Sequence, residues 1–265
     1  EHSKLQIKNA LGLAEYYAPQ APQDRSLAYP SSMKEGMAWA AHSVINVVEL
    51  AMAGFDGMSP FLCDAQQCED LGINWEVCST YFKMYACCRF SHPVLDGLTH
   101  LVAANEVKLE DIMSIKVVSF AKALLLDHLA PTNPVAAMYS IPFIIGCFLV
   151  RGKVGTEEMT TDTLNDPEII AIARKVVLEE DPDITDKFPL NCLARVIVTL
   201  NNGKSIKSET LSAKGDPDYP YSQEEMRNKF LDLMVPLVGN NGDAMYDQIM
   251  NIEYEIPQDL WNNLQ

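Results

Sequence analysis

Between Met37 and Phe55 apolar side chains recur at Met37, Ala41, Val44, Val48 and Ala51, the spacing of one helical face, and Gly54 and Gly57 supply a stop. Asn74 to Tyr81 reads as a strand. His92 to Asn105 is helical in pattern, with Val94, Leu95, Leu98, Leu101 and Val102 directed inward. Ile112 to Phe120 predicts another strand. The apolar run Ala136 to Val150 contains Pro142 and is too short to cross a bilayer, so it reads as a buried helix. Asp166 to Arg174 predicts a short helix, with Val176 to Leu178 extended after it. Cys192 to Leu200 and Ser205 to Ser212 flank Asn201-Asn202-Gly203-Lys204, a hairpin signal. Ser222-Gln223-Glu224-Glu225 is a capping box that opens a final helical region. The order is helices, a mixed block, then helices again, an α+β chain.

The composition narrows the class. With 265 residues, 48% hydrophobic and 21% charged, the chain has enough apolar surface for a sizeable core. A formal charge of −16 argues against a nucleic-acid binder, which needs a basic footprint. It leaves room for an anionic substrate, because a few lysines in a cleft create a local positive field. Much of the acidity lies between Glu157 and Asp186 and reads as a solvated surface. Seven cysteines occur without a Cys-x-x-Cys pair, so a zinc ribbon or a thioredoxin motif is not indicated. Scattered cysteines fit a reducing compartment, cytoplasmic or alternatively mitochondrial.

The densest chemistry runs from Lys83 to Asp96: Lys83-Met84-Tyr85-Ala86-Cys87-Cys88-Arg89-Phe90-Ser91-His92-Pro93-Val94-Leu95-Asp96. An extended stretch meets a helix here. Ser91 is placed to cap it, and Pro93 falls in its first turn, where a missing N–H is harmless. His92 and Asp96 share one helical face. Cations and a histidine at a helix N-terminus suit a small anion. The alternative is a plain strand-to-helix junction with solvated charges. His92, Asp96 and His100 also recur at one-turn spacing, which in principle suits a metal, although a solvated face explains it as well.

This segment resembles the Lys-x-Tyr-Pro-x-Cys-Arg-Tyr-x-His-Pro-x-x-Asp stretch of the MmgE/PrpD superfamily. Two other places carry the likeness. Ser31-Ser32-Met33-Lys34-Glu35-Gly36 resembles the family's Ser-Met-x-Lys-Gly segment. Gly215-Asp216-Pro217-Asp218-Tyr219-Pro220, followed by Glu224-Glu225 and Lys229-Phe230, resembles its Gly-Asp-Pro-x-x-Pro…Lys-Phe signature. The family contains 2-methylcitrate dehydratase, cis-aconitate decarboxylase and iminodisuccinate epimerase. The resemblance implies an all-helical domain interrupted by an α/β lid domain. Boundaries near Gly72 and Gly215 would divide the chain into a partial helical domain (1–75), the lid (76–214) and C-terminal helices that return to the first domain (215–265). Family members carry a further N-terminal helical region. A chain opening at Glu1-His2-Ser3 is therefore expected to be a fragment that exposes an apolar patch, with a companion segment or chain completing the site.

The resemblance also implies a role for particular residues. Lys34 and Lys83 would face each other across the cleft and clamp a di- or tricarboxylate. Taken by itself, a lysine at the start of a helix is disfavoured by the macrodipole, so a bound anion would explain Lys34; an exposed loop lysine is the alternative. His92 is a candidate general acid/base or carboxylate donor, or else a cap held by Asp96. Arg89 is a candidate fork onto a carboxylate, or a structural residue. Tyr139-Ser140-Ile141-Pro142-Phe143 stands where many members have a Ser-Leu-Pro-Tyr-like segment. Phe143 has no hydroxyl, which leaves Tyr139 as the nearby phenol. Neither a metal nor a cofactor is implied. The expected protein is a metal-independent lyase or isomerase, in a homodimer, acting on a citrate-, alkylcitrate- or aconitate-like acid by dehydration or decarboxylation. A non-catalytic remnant with an assembly or carboxylate-binding role is the alternative.

Overall fold

A computed structural model describes residues 3–31, 36–61, 68–105 and 107–252. The helices are α1 (Lys4–Tyr16), α2 (Gln23–Ala28), α3 (Met37–Met52), α4 (His92–Asn105), α5 (Pro134–Ala137), α6 (Ile141–Arg151), α7 (Thr161–Leu164), α8 (Pro167–Ala173), α9 (Pro182–Thr185), α10 (Gln223–Val238) and α11 (Gly242–Met250). The strands are β1 (Ile112–Ser119), β2 (Val176–Glu180), β3 (Leu193–Leu200), β4 (Ser205–Lys207) and β5 (Leu211–Ser212). Among the described residues no helix is long and apolar enough to cross a membrane.

The sheet runs β2-β1-β3-β4, with β5 also pairing β3. β1 and β2 are parallel; the other pairs are antiparallel. The Asn201-Asn202-Gly203 turn joins β3 to β4 as the hairpin pattern predicts. The second arm breaks after Lys207, and Leu211–Ser212 resumes pairing further along β3. The cause is local: Ser208 turns its hydroxyl inward and accepts from the Val196 N–H at 2.9 Å, taking the place of a main-chain partner.

One large core fills this body. Val94, Leu95 and Leu98 of α4 bury completely against the sheet, as do Ile115 and Val117 of β1 and Val196 of β3. α4 comes so near β3 that a Cβ on Gly97 would lie 3.1 Å from Ser208 Oγ and 3.5 Å from a Val196 methyl. The apolar run predicted as one buried helix is split: Ala136 and Ala137 end α5, and Ile141 onward is α6, capped by Ser140, whose hydroxyl accepts from the Phe143 N–H at 3.1 Å. The acidic stretch is more than a solvated surface. Asp166 caps α8, Asp181 caps α9 while pairing with Arg195 at 2.7 Å, and the buried Glu158 accepts from the Gly155 N–H at 2.8 Å.

The N-terminal helices differ. α1 is closed by a Ser3–Gln6 capping box and packs on α3. Their shared cluster contains only Leu13, Val47 and Ala51 as buried residues. Of the α3 positions expected to turn inward, Ala51 is buried and Val48 half-buried, whereas Met37, Ala41 and Val44 are exposed, as are Trp39 and Ile45 beside them; Val47, outside that set, is buried instead. An apolar groove of about 220 Å3 runs between the two helices. α2 ties this region to the body: Leu27 enters the main core, Asp24 pairs with Lys122 at 2.8 Å, and the Leu27 carbonyl lies 2.9 Å from His128 Nε2.

The strand expected over Asn74–Tyr81 does not form. Glu76–Ser79 is a 3₁₀ turn, and the neighbouring Ile73, Trp75 and Val77 are exposed. The segment carries β-forming side chains but pairs with no edge, so nothing satisfies an extended backbone there.

Candidate active site

The chain from Tyr81 to Ser91 is fixed to the body by backbone bonds. Phe82 N–H donates to the Gly215 carbonyl at 3.0 Å, Ala86 N–H to Val154 at 3.0 Å, and Cys88 N–H to Met138 at 2.8 Å. Phe90 packs edge-on against Phe120, with centroids 5.0 Å apart, and Phe120 stacks on Phe188 at 4.3 Å. The first turn of α4 is entered through a 3₁₀ turn at Arg89–Ser91. The expected side-chain cap is not made, because the Ser91 hydroxyl is buried without a hydrogen-bond partner.

Arg89 is buried and fully engaged. Its guanidinium donates to the carbonyls of Lys214 (2.7 Å) and Ala213 (2.9 Å) and to Asp216 Oδ1 (2.5 Å), and it lies over the Tyr81 ring at 4.5 Å. It thereby ties the Lys83–Asp96 segment to the Gly215-Asp216 turn. Gly215 holds φ +104°, and a Cβ there would lie 2.3 Å from the Phe82 carbonyl oxygen and 2.6 Å from the Tyr221 ring, so this crossing requires glycine.

His92 is completely buried at the start of α4, and neither ring nitrogen has a hydrogen-bond partner. The Cys87 backbone is near enough to favour a charged ring electrostatically, but it is not in hydrogen-bonding geometry. Burial first, then the positive charges of Arg89, Lys83 and Lys229, push the imidazole down to about 3. It is therefore neutral at physiological pH. Its ring packs edge-on against Tyr85 at 5.1 Å. The expected His92–Asp96 contact is absent. Asp96 instead accepts from the Tyr85 hydroxyl at 3.0 Å and from the Lys214 N–H at 3.1 Å, and its burial raises its carboxyl pKa. His100, the third member of the possible metal set, is exposed. Among the described residues no three His, Cys, Asp or Glu side chains are grouped to hold a metal ion.

Lys83 is exposed and forms no side-chain hydrogen bond or ion pair among the described residues. Lys34 lies outside the described residues. Tyr139 is half-buried against the core, next to Met138, whose carbonyl holds Cys88; Phe143 is buried within the core. The structure thus brings His92 and the charge of Lys83 together and commits Arg89 to the scaffold. Three contributors were not singled out from sequence as site residues. Lys229 of α10 donates to the Met84 carbonyl at 2.6 Å. Tyr85 and Lys214 fix Asp96. Lys229 and Tyr85 had local signals, the Lys229-Phe230 pair and the Lys-x-Tyr motif, whereas Lys214 had none. A cavity of about 220 Å3 opens beside this strip, lined among others by Tyr85, Asp96, Lys214, Tyr221 and Glu225. Lys214 Nζ is paired with Glu225 at 2.5 Å. The six described cysteines are free thiols, and burial pushes Cys147 and Cys192 up to about 12 and Cys87 higher, so none of these three is a ready thiolate.

Fold and site together define an α+β protein with an unbonded imidazole and several cations at the junction of a sheet-bearing body and a C-terminal helix. The chain belongs to the MmgE/PrpD family: the model of the MmgE/PrpD C-terminal domain matches residues 85–253. Arg89, His92, Tyr139 and Lys229 fall within the match, and Lys34 and Lys83 precede it. Among relatives, the chain is 24% identical to the cis-aconitate decarboxylase of Aspergillus terreus over 204 residues, 69% of this chain and 41% of that protein. It is 28% identical to the cis-aconitate decarboxylase of Mus musculus over 101 residues, 38% of this chain and 20% of that protein. The chain therefore spans less than half the length of the curated relatives it matches.

Proposed function

We propose that this chain forms part of a lyase that acts on a small di- or tricarboxylate, by dehydration or decarboxylation next to a carboxylate. One observation carries the reading. In a chain of net charge −16, His92 is buried, neutral and unbonded, and the charges facing it are the cations Arg89, Lys83 and Lys229. A buried polar ring left without partners is costly, and although Arg89 is paired with Asp216, Lys83 and Lys229 form no ion pair among the described residues and repel one another. A polycarboxylate would relieve both.

In this reading Lys83 binds a substrate carboxylate. Neutral His92 offers one N–H donor and one basic lone pair. Arg89 acts by holding the segment in place. Lys34 is proposed as a further cation, and Tyr139 as the phenol nearest the position where Phe143 has none. Both reactions develop negative charge next to a carboxylate, which preorganised cations and N–H donors stabilise. The similarity to cis-aconitate decarboxylases makes cis-aconitate the first acid to try.

The test is NMR of the full-length polypeptide containing this chain, incubated with cis-aconitate, citrate and 2-methylcitrate. Loss of CO2 or of water from one of them is expected. Lys83→Met should lower kcat/KM by about two orders of magnitude, the scale of one lost charge stabiliser. Saturable binding without any product would instead favour a carboxylate-binding role.

A further inference from the structure

Lys229 lies on α10, far in sequence from the Lys83–Asp96 segment, yet its ammonium group reaches the Met84 carbonyl at 2.6 Å. Met84 stands between Lys83 and Tyr85, and the Tyr85 ring packs on His92. Lys229 thus approaches the strip from the side of the C-terminal helix, while Lys83 belongs to the strip itself. An ammonium has three N–H donors, and the Met84 carbonyl uses one.

Lys229 is half-buried and forms no ion pair among the described residues. Buried or half-buried lysines are normally paired. Several other half-buried lysines in the chain are: Lys214 with Glu225 at 2.5 Å, Lys122 with Asp24 at 2.8 Å, Lys116 with Glu179 at 2.7 Å, whereas Lys175, like Lys229, donates to a carbonyl, that of Ile112. The acid that acts on Lys229 is Asp232, on the same helix, and the two form no ion pair. Lys83 opposes Lys229 electrostatically, and both act on the buried Cys87 and His92. Two unpaired lysines from different parts of the chain therefore converge on one unbonded imidazole.

We propose that Lys229 is a second carboxylate-binding cation of the site, flanking His92 with Lys83 and selecting acids that carry at least two carboxylates. This rests on the polycarboxylate reading above and adds a specificity-determining residue to it. A purely structural lysine, which only holds Met84, would affect all acids alike.

The experiment is calorimetric titration of the full-length polypeptide with tricarballylate, glutarate and butyrate. The wild type should bind the three in falling order of affinity. Lys229→Met should weaken tricarballylate and glutarate by about ten- to one-hundred-fold, the scale of one lost charge-assisted hydrogen bond. Butyrate should change by less than about threefold, and Lys229→Arg, which keeps the charge, should recover most of the loss. Unchanged binding of all three acids by Lys229→Met, or an equal loss for all three, overturns the proposal. If Lys83→Met still weakens the polycarboxylates, the broader reading survives that result. A wild type that binds none of the acids removes the reading itself, and the proposal with it. A measurement without variants guards against a misfolded mutant: lysine-modification footprinting of the wild type by mass spectrometry. Tricarballylate should protect Lys83 and Lys229 but not Lys204 in the hairpin turn. Protection of Lys83 without Lys229 counts against the proposal.

Discussion

Phe120, just after β1, and Trp39, on α3, are both large aromatic residues in sequence that forms regular structure. Phe120 is completely buried, stacked on Phe188 and edge-on to Phe90, whereas Trp39 is 68% exposed. The contrast extends to their regions. The body built on the sheet buries both faces of β1 at its end, Val117 to Ser119, and a set of residues from α4, α6 and α8. The α1–α3 pair buries three hydrophobic side chains in its cluster and leaves Leu5, Ile7, Met37, Trp39 and Ile45 on the outside. Helical spacing identifies a helix but not the surface that covers it. The site lies on the body side, on a segment sewn to the core by main-chain bonds, and this gives His92 and Arg89 fixed surroundings.

That contrast can be broken by mutation. Phe120→Ala should cost the body about 3–5 kcal/mol, the range for a buried aromatic truncation, measured by denaturant unfolding. A loss below about 1 kcal/mol would mean that the aromatic stack is not part of the core. Arg89→Met should cost about 2–4 kcal/mol, because it leaves the Ala213 and Lys214 carbonyls and Asp216 without their donor. A proteolysis assay should also show the 81–91 segment becoming accessible; if it stays protected while stability falls, Arg89 does not hold that segment in place.

A smaller effect concerns pH. His92 is held near 3 in the folded protein, against about 6.5 when unfolded, so between these values the unfolded state binds more protons. Stability should therefore fall as pH drops below about 6.5, by about 2 kcal/mol between pH 7 and pH 5. The decrease should largely vanish in His92→Phe. An unaltered slope in that variant would place the proton uptake elsewhere. At the low end, Trp39→Ser on α3 should shift stability by no more than about 0.5 kcal/mol, since it gives up little beyond an edge contact with the exposed His42 ring. A large loss would show that α3 is covered after all.

Much of the body was legible in the sequence because its signals are local. The Asn201-Asn202-Gly203 turn, the β1 pattern, the short helix after Asp166 and the Ser222–Glu225 capping box each rest on a few neighbouring residues, and each formed. The strand expected at Asn74–Tyr81 failed for the opposite reason: its side chains favour extension, but pairing depends on a distant edge. The site divides in the same way. Lys83, Arg89 and His92 could be picked out from one segment. That Arg89 serves the Gly215-Asp216 turn, that Asp96 is held by Tyr85 rather than by His92, and that Lys229 reaches Met84 are facts of tertiary packing between segments far apart in the chain.

The central claim is that the unbonded His92 ring, flanked by cations, is where a polycarboxylate docks. It is tested most directly by ¹⁵N NMR of the His92 ring nitrogens during titration with tricarballylate at neutral pH. The account predicts a neutral imidazole in the free protein and a saturable shift of at least one ring nitrogen on binding, weakened in Lys83→Met. A His92 spectrum that stays unchanged while the acid binds elsewhere would contradict it.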